Sequence, residues 1–357
     1  MLVSTYDNIT IKGIAAAVSS KWTSVEELVN EDELKMVKKF TKNTGVQGRY
    51  DAGVRQTTSD FCYAAAMQLL KEKNISPDSI GILIFVTQSA DYSIPATACL
   101  LQDRLKLPKD SIAFDVNLGC SGYVYGLNLV AGLMNSSNTS YALLLCGDTS
   151  AKDGPKNKEV KHTNTSKLLF GNSGTATLLY KSEQESPMTF ISRTDGSGFR
   201  KIIAPYGGGR HPDNDAPEKR GTRFDDMEIF NFTIDEVPIM LKELMDVLGK
   251  TPNDYDSLAL HQANRFIIQQ VGKRAGFSED KILVSLDKYG NTSSASIPLT
   301  LVNQYGDQDG DKELSVLACG FGIGLSWAAT EMKVNTNNIL PIIHTDDYFD
   351  DGYPFDE

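Results

Sequence analysis

The stretch LLLCG at residues 143–147 returns as VLACG at residues 316–320, at an offset of 316 − 143 = 173 positions. Upstream, SIGILIFVTQS at residues 79–89 has a counterpart in DYDSLALHQAN at residues 254–264, at an offset of 254 − 79 = 175 positions. Each segment is an apolar run of strand length that ends in small or polar residues. Matching segments in the same order at nearly constant separation indicate that the chain contains two related halves.

Strand and helix patterns alternate within each half. The matching segments 110–114 and 280–284 lead to Cys120 and Asn291 respectively, and helical periodicity covers Thr58–Lys71 and Phe230–Leu248. This alternation predicts an α/β protein whose strands are mostly buried on both faces. Because functional residues gather where strands end, we expect Cys120 and Asn291 to occupy equivalent corners and to face one shared site.

Composition excludes several classes of protein. The chain has 357 residues, 41% of them hydrophobic, which is enough for a large core, and its net charge is −11. That charge argues against non-specific binding to nucleic acid or to an anionic membrane. The sequence also has no apolar run of the ~18 residues that a membrane span needs, no signal-peptide pattern at its start and no CxxC spacing. We therefore expect a cytoplasmic protein without a metal site.

Cys120 is the candidate nucleophile. It follows the strand pattern Ile112–Val116 and precedes the helical pattern Ser121–Met134. A thiol at the N-terminus of a helix meets the positive end of the helix dipole, which favours the thiolate. Taken alone, a cysteine is more often an inert core residue. We retain that interpretation for the four cysteines that lie inside apolar patterns, namely Cys62, Cys99, Cys146 and Cys319.

His261 and Asn291 each follow a strand pattern of their own. In isolation, His261 would be a structural histidine and Asn291 a turn residue or helix cap. A papain-type hydrolase would use the asparagine to orient the histidine. Here the separate strand ends let both side chains donate hydrogen bonds to one substrate oxygen, which suits the enolate of a thioester. No strong base is needed if that carbanion arises by loss of carbon dioxide.

The glycine-rich run Gly320–Gly324 lies at the strand end equivalent to Gly147. It can offer a backbone N–H to the oxyanion that forms when Cys120 is acylated. Its spacing does not fit a dinucleotide-binding fingerprint.

With these residues, the chain resembles the β-ketoacyl-acyl carrier protein synthase III family, which has the thiolase fold. The most specific segments are HQAN at 261–264, GNTSSAS at 290–296, NTGV at 43–46 and GFGIGLSW at 320–327. The resemblance implies a thiolase-like α/β fold with two pseudo-symmetric halves in a five-layer αβαβα arrangement. We place the halves at residues 1–180 and 181–332, followed by an acidic tail at 333–357.

The resemblance also implies a role for each site residue. Cys120 would hold an acyl primer as a thioester, and His261 and Asn291 would drive decarboxylation of malonyl-acyl carrier protein. The backbone N–H groups of Cys120 and Ile323 would form the oxyanion hole. Ile94 would enter the acyl pocket of a partner subunit, which implies a homodimer. No cofactor is implied, since acyl carrier protein or coenzyme A brings its own phosphopantetheine.

Several positions depart from the family pattern. Lys39 and Asn43 stand where the family has the Trp and Arg that hold the adenine end of coenzyme A, which favours a carrier-bound primer over acyl-CoA. Phe266 replaces the usual carrier-docking Arg; the neighbouring Arg265 either substitutes for it or is an ordinary surface charge. The segment FGNSG at 170–174 is interpreted as structural.

Two peripheral segments have no family counterpart that we can assign. Residues 206–226 are polar and rich in Gly and Pro, which predicts a loop or a flap over a site. His344–Glu357 is acidic with interspersed aromatic residues, and we expect a solvated tail there. Two functions compete with condensation: transfer of an acyl group from Cys120 to an alcohol or amine without decarboxylation, and a catalytically silent partner subunit.

Overall fold

The structure is a computed structural model that describes residues 1–149, 168–184, 186–212, 221–308 and 310–353. The strands are β1 (Val3–Tyr6), β2 (Ile9–Val18), β3 (Trp22–Ser24), β4 (Gly48–Tyr50), β5 (Ile80–Val86), β6 (Ile112–Val116), β7 (Tyr141–Asp148), β8 (Ser173–Lys181), β9 (Met188–Thr194), β10 (Ile202–Ile203), β11 (Arg223–Phe224), β12 (Ser257–Leu260), β13 (Glu313–Gly322), β14 (Ser326–Asn335) and β15 (Ile343–His344). The α-helices are α1 (Leu34–Thr44), α2 (Thr58–Glu72), α3 (Thr97–Arg104), α4 (Gly122–Asn135), α5 (Asp226–Leu248), α6 (Arg265–Arg274), α7 (Leu286–Tyr289) and α8 (Ser296–Tyr305).

Two large sheets repeat one strand order. The six-stranded sheet has the order β15-β2-β8-β7-β5-β6, and the five-stranded sheet has the order β1-β9-β14-β13-β12. The antiparallel run β2-β8-β7 of the first sheet corresponds to β9-β14-β13 of the second, and parallel pairings follow in both. A parallel bridge between Leu258 and Ile282 stands in the place of β6. The first strand in each order differs, since β15 pairs in parallel with β2 whereas β1 is antiparallel to β9. The predicted internal repeat is confirmed, because β5, β6 and β7 match β12, Ile282 and β13.

The layers follow from the distribution of apolar side chains. Helices α4 and α8 contact both sheets, whereas α2 and α3 pack on the outer face of one sheet and α5 and α6 on the outer face of the other. Most of α8 is buried, Asn303 and Gln304 excepted, as expected of a helix between two sheets. Separate buried clusters fill the centre and the two outer interfaces. This is the predicted five-layer αβαβα arrangement.

The chain ends cross between the two sheets. Strand β1 pairs with β9 in the five-stranded sheet, and β15 pairs with β2 in the six-stranded sheet. The division at residues 180 and 181 stays a prediction, and β14 extends past the predicted tail boundary at 333. Within the part of the chain that the structure describes, no helix has both the length and the apolar character to cross a membrane.

Most residues from 344 to 353 are exposed, but the segment is also hydrogen-bonded to the folded body. The buried amide of Gln56 donates from Nε2 to the carbonyl oxygens of Thr345 and Asp347, at 2.9 and 3.1 Å. The backbone N–H of Phe349 donates to Asp60 Oδ1 at 2.9 Å. The acidic residues predict the exposure but not these contacts, which the backbone and the interspersed aromatic side chains provide.

Arg104 joins this C-terminal segment to α2 and α3. Its guanidinium lies 4.5 Å from the ring centroid of Tyr63 and 4.7 Å from that of Phe349, so it is held between two aromatic rings. Its Nη2 is 3.0 Å from Asp60 Oδ1. The segment 206–226 is only partly described, since 213–220 lie outside the described residues; Arg223–Phe224 forms β11 and pairs with β10.

Deleting residues 345–357 is expected to destabilise the protein by on the order of 2 kcal/mol, because Gln56 and Arg104 lose partners while still largely buried. Chemical unfolding of the deletion variant measures this loss. Tyr353→Ala is the control, since that side chain is 79% exposed. Unfolding at the same denaturant concentration as the full chain would contradict the assignment of this segment to the folded body.

Candidate active site

Cys120 lies in the turn between β6 and α4, with only 8% of its surface exposed. The N–H of Gly122 donates to the carbonyl of Gly119 at 2.7 Å and closes that turn. A Cβ at Gly322 would lie 2.7 Å from the Cβ of Cys120 and 3.1 Å from its sulfur. Glycine at 322 therefore lets the backbone of the second half approach the nucleophile closely.

The resting thiol of Cys120 is protonated. Burial raises its pKa to about 12, and the negative charge of Asp148 acts in the same direction. The backbone N–H groups of Cys120 and Ile323 and the hydroxyl of Ser293 lower the pKa, but burial outweighs them. The sequence predicted that backbone N–H groups at the helix N-terminus favour the thiolate, and they do lower the pKa. It did not predict that burial raises the pKa by more.

His261 follows β12 and is 2% exposed. Its Nδ1 lies 2.8 Å from Ser296 Oγ, and its ring stands edge-on to Phe321 with centroids 5.5 Å apart. Burial lowers the pKa of the imidazole to about 3, so the ring is neutral at any ordinary pH. A neutral ring can donate one hydrogen bond without introducing a second charge into the site.

The other residues of the HQAN segment shape the local backbone. Gln262 Nε2 donates to the carbonyls of Leu260 and Leu283 at 2.8 and 3.3 Å, and its Oε1 accepts from the N–H of Ser285. Asn264 Oδ1 caps α6 by accepting from the N–H of Ile267. The side chains of Gln262 and Asn264 therefore hold the local backbone, and the imidazole of His261 is left available for catalysis.

Asn291 is 5% exposed, and its side-chain amide is oriented by a hydrogen bond to the amide oxygen. Oδ1 accepts from the N–H of Ser293 at 2.9 Å, which fixes the direction of the amide. Within the described ranges, Nδ2 makes no hydrogen bond to the protein. The backbone N–H of Asn291 donates to Leu169 O, and its carbonyl accepts from the N–H of Gly171, so residues 168–171 hold it in place.

Ser293 brings the three predicted residues together. Its N–H donates to Asn291 Oδ1, and its carbonyl accepts from Ser296 Oγ, which lies 2.8 Å from His261 Nδ1. Its hydroxyl lowers the pKa of the Cys120 thiol. Ser293 is thus linked to an amide and, through Ser296, to an imidazole, and it acts on the thiol. The sequence analysis did not identify Ser293 itself, although GNTSSAS contains it; its backbone, at φ +51°, gives it this position.

The glycine-rich run supplies the remaining group. The backbone N–H of Ile323 lowers the pKa of the Cys120 thiol. Ser326 Oγ is 2.7 Å from both Ile323 O and Ser121 Oγ, so it fastens the run to the turn that carries the nucleophile.

Comparison with known proteins gives a consistent answer. The family models described as 3-oxoacyl-[acyl-carrier-protein] synthase III and its C-terminal part match residues 114–196 and 245–334. The β-ketoacyl-[acyl-carrier-protein] synthase III of Caldanaerobacter subterraneus is 31% identical over 331 residues, covering 90% of this chain and 98% of the relative. A crystal structure of 3-oxoacyl-(acyl-carrier protein) synthase from Burkholderia xenovorans has a TM-score of 0.89 and 34% identity, covering 96% of this chain and 99% of that one.

The chain belongs to the β-ketoacyl-acyl carrier protein synthase III family. It is a condensing enzyme with the thiolase fold, and the resemblance found in the sequence is confirmed.

Two further residues implied by that family lie outside this cluster. Ile94 is 86% exposed in the loop between β5 and α3. Arg265 is exposed at the first position of α6, beside Gly45 of the NTGV segment. Phe266, which replaces the family's docking Arg, is 51% exposed and stacks on Phe230 with centroids 5.8 Å apart.

The family's glycine-containing segment at 170–174 supports Asn291. Phe170 forms a parallel bridge with Asn291, and Arg49 Nη1 donates to the carbonyl of Phe170 at 2.9 Å. A Cβ at Gly171 would lie 1.7 Å from Tyr289 O, so only glycine fits there. These contacts agree with the structural interpretation of the segment.

The difference in ultraviolet thiolate absorption between the wild type and Cys120→Ala is expected to be absent from about pH 7 to about pH 9 and to rise above that range. The sign follows from a pKa raised to about 12, which keeps the thiol protonated until the solution is strongly basic. Spectrophotometric titration of both proteins makes the measurement. A difference signal at neutral pH would show that the helix N-terminus outweighs burial.

Proposed function

We propose that this enzyme performs a decarboxylative Claisen condensation between an acyl primer held on Cys120 and malonyl-acyl carrier protein. The observation that carries the proposal is the convergence of Cys120, His261 and Asn291 on Ser293, with the histidine neutral and the Asn291 Nδ2 without a hydrogen bond in the described protein. A thiol nucleophile and two neutral donors match the two charged species of this reaction, a tetrahedral oxyanion and an enolate.

In the first half-reaction the sulfur of Cys120 attacks the carbonyl carbon of the primer thioester. The negative charge that develops on the carbonyl oxygen is stabilised by the backbone N–H groups of Cys120 and Ile323. Each such donor typically contributes about 3 kcal/mol in a buried site. Collapse of the tetrahedral species expels the phosphopantetheine sulfur, which takes up the proton that Cys120 has lost and leaves as a thiol, and the acyl-enzyme remains.

In the second half-reaction His261 and Asn291 act on the malonyl thioester. The bond to the carboxylate breaks, carbon dioxide leaves, and the electron pair moves onto the thioester carbonyl to give an enolate. Asn291 donates to that oxygen from Nδ2. His261 donates from Nε2 in the tautomer that carries its hydrogen there. Nδ1 then accepts from the Ser296 hydroxyl, whose hydrogen must turn from the carbonyl of Ser293 to the ring.

Condensation closes the cycle. The enolate carbon attacks the acyl carbonyl on Cys120, and the same two N–H donors stabilise the second oxyanion. The cysteine leaves as a thiolate and takes up a proton, and the β-ketoacyl-carrier thioester departs. Every protein group required is a side chain or a backbone N–H of this chain, and the phosphopantetheine arrives with the substrate.

The proposed partners are acyl carrier protein, which brings the malonyl group, and a second copy of the chain. Lys39 and Asn43, which are exposed on α1, favour a carrier-bound primer over acyl-CoA. Strand β6 is at the edge of the six-stranded sheet, and Ile112 on that edge is 42% exposed. Edge-to-edge pairing of two copies would cover it and bring the exposed Ile94 towards the partner's acyl pocket.

Cys120→Ala is expected to abolish acyl labelling of the protein while carbon dioxide is still released from malonyl-acyl carrier protein. The reason is that the sulfur acts only in acyl transfer, whereas His261 and Asn291 act in decarboxylation. Intact-protein mass spectrometry measures the label, and radiolabelled malonyl carrier measures the gas.

Asn291→Ala serves as the reciprocal variant, with acyl labelling retained and decarboxylation reduced by about 100-fold or more. Transfer of the Cys120-bound acyl group to an alcohol or amine, with no carbon dioxide released by the wild type, would instead establish the non-decarboxylating acyltransferase.

The decarboxylation rate is expected to be flat between about pH 5 and about pH 8. A pKa lowered to about 3 keeps His261 neutral throughout that range, so acidification does not change its protonation state. Initial rates in a series of buffers test this, with His261→Ala as the background. A rate that rises as the pH falls through about 6 would show that the imidazolium is the active form.

A further inference from the structure

The loop between β5 and α3, residues 87–96, is anchored beside the turn that carries the nucleophile. At its start the N–H of Gln88 donates to Asp148 Oδ1 at 2.7 Å, and a Cβ at Gly119 would lie 2.5 Å from Gln88 Oε1. Further along, the loop carries Ile94, which is 86% exposed. This one loop therefore connects the nucleophile's turn with the side chain that the proposed function directs towards the partner's acyl pocket.

The C-terminal segment, residues 345–353, contacts this loop directly. The hydroxyl of Tyr92 donates a hydrogen bond to Asp351 Oδ2, although the two residues are 259 positions apart in the sequence. Asp351 Oδ1 accepts from the N–H of Tyr353 at 3.0 Å, so the carboxylate is oriented by its own segment. The bond to Asp351 raises the pKa of Tyr92 to about 12, which keeps the phenol protonated as a donor. Because Tyr92 stands two positions before Ile94, the contact restrains the backbone next to the exposed side chain.

A second connection runs through α2 and α3. The buried Ser59 donates from Oγ to Asp91 Oδ2 at 2.6 Å and accepts from Arg104 Nη1 at 3.0 Å. The same guanidinium lies 4.7 Å from the ring centroid of Phe349 in the C-terminal segment. Asp91, the neighbour of Tyr92, is therefore also linked to that segment. Two consecutive residues of the loop thus depend on the C-terminal segment, by separate contacts.

We propose that the C-terminal segment, through the hydrogen bond from Tyr92 to Asp351, sets how far Ile94 enters the partner's acyl pocket and thereby selects the chain length of the primer. Asp351 is a positioning residue, which acts through Tyr92 and Ile94 and not on the substrate. The inference rests on the proposed function, because it requires an acyl pocket that a second copy of the chain completes.

Preorganisation is the physical reason that such a contact affects selectivity. Ordering a mobile segment during association costs conformational entropy, and a segment that is already held loses less of it. A restrained loop keeps Ile94 at one depth, so the pocket ends at one primer length. Without the contact Ile94 samples several depths, and primers of other lengths fit as well.

The test measures initial rates of Cys120 acylation by intact-protein mass spectrometry, with acyl-carrier thioesters of straight-chain acids from acetyl to decanoyl. Tyr92→Phe removes only the hydroxyl, and Asp351→Ala removes only the acceptor. Each is expected to change the ratio of rates for long and short primers by about 10-fold, because a pocket discriminates a single methylene by roughly that factor or more. The double variant is expected to match the single ones, since both substitutions remove the same contact.

Two further variants separate this role from a general effect on the fold. Ile94→Ala changes the length preference by itself, and adding Asp351→Ala to it is expected to change nothing more, because the effect passes through Ile94. The matched control is Asp347→Ala. It removes an exposed carboxylate of the same segment whose side chain makes no hydrogen bond within the described ranges, and it should keep the wild-type length profile.

Three results would overturn the inference. They are an unchanged length profile in Asp351→Ala and Tyr92→Phe, an equal loss of rate at every length, and a wild type that acylates Cys120 while it remains monomeric in solution. Should Asp351→Ala fail to fold, the profile of Tyr92→Phe decides. A wild type that none of the primers acylates would refute the proposed function instead.

Discussion

The left-handed backbone of Ser293 is the constraint on which the rest of the site depends. A non-glycine residue at φ +51° costs of the order of 1 to 3 kcal/mol, and it persists only where its surroundings enforce it. Here the N–H is fixed by Asn291 and the carbonyl accepts from Ser296 Oγ at 2.8 Å, at the start of the mostly buried helix α8. Ser296 Oγ also lies 2.8 Å from His261 Nδ1, so this backbone conformation links the asparagine to the histidine. The hydroxyl of Ser293 lowers the pKa of Cys120, which lies in the other half. The strain is therefore located where a single residue connects both halves of the molecule.

Burial sets the protonation states of the site, and it acts in opposite directions on its two titratable catalytic groups. Removal from water disfavours every charged form, so it raises the pKa of Cys120 and lowers that of His261. The resting site therefore contains a neutral thiol and a neutral imidazole instead of the thiolate–imidazolium pair of a papain-type hydrolase. A neutral imidazole suits a donor to an enolate, but it leaves the thiol in need of a proton acceptor.

Sequence alone predicted the parts of this structure that depend on strand patterns and strand ends. The repeat of 143–147 at 316–320 gave the common order of the two sheets, and the ends of β6 and β12 gave Cys120 and His261. It did not reveal Ser293, because a positive φ at a serine has no periodic signature. It did not reveal the contacts of the C-terminal segment, because the partners of Phe349 and Thr345, namely Asp60 and Gln56, are almost 290 residues away. Local composition does not predict which distant side chains pair. Nor does it predict whether the helix dipole or burial has the larger effect on the pKa of Cys120.

The duplication also explains how one cavity can hold a neutral histidine beside a titratable cysteine. Asp148 at the end of β7 corresponds to Phe321 near the end of β13, at the same offset of 321 − 148 = 173 positions that relates the two strands. Phe321 packs its ring against His261 and contributes to the burial that keeps the imidazole uncharged. Asp148 instead places a carboxylate beside the thiol. Because the fold is repeated, equivalent positions approach the site from both sides, and a different side chain at each one creates an apolar environment for the donor and a polar one for the nucleophile.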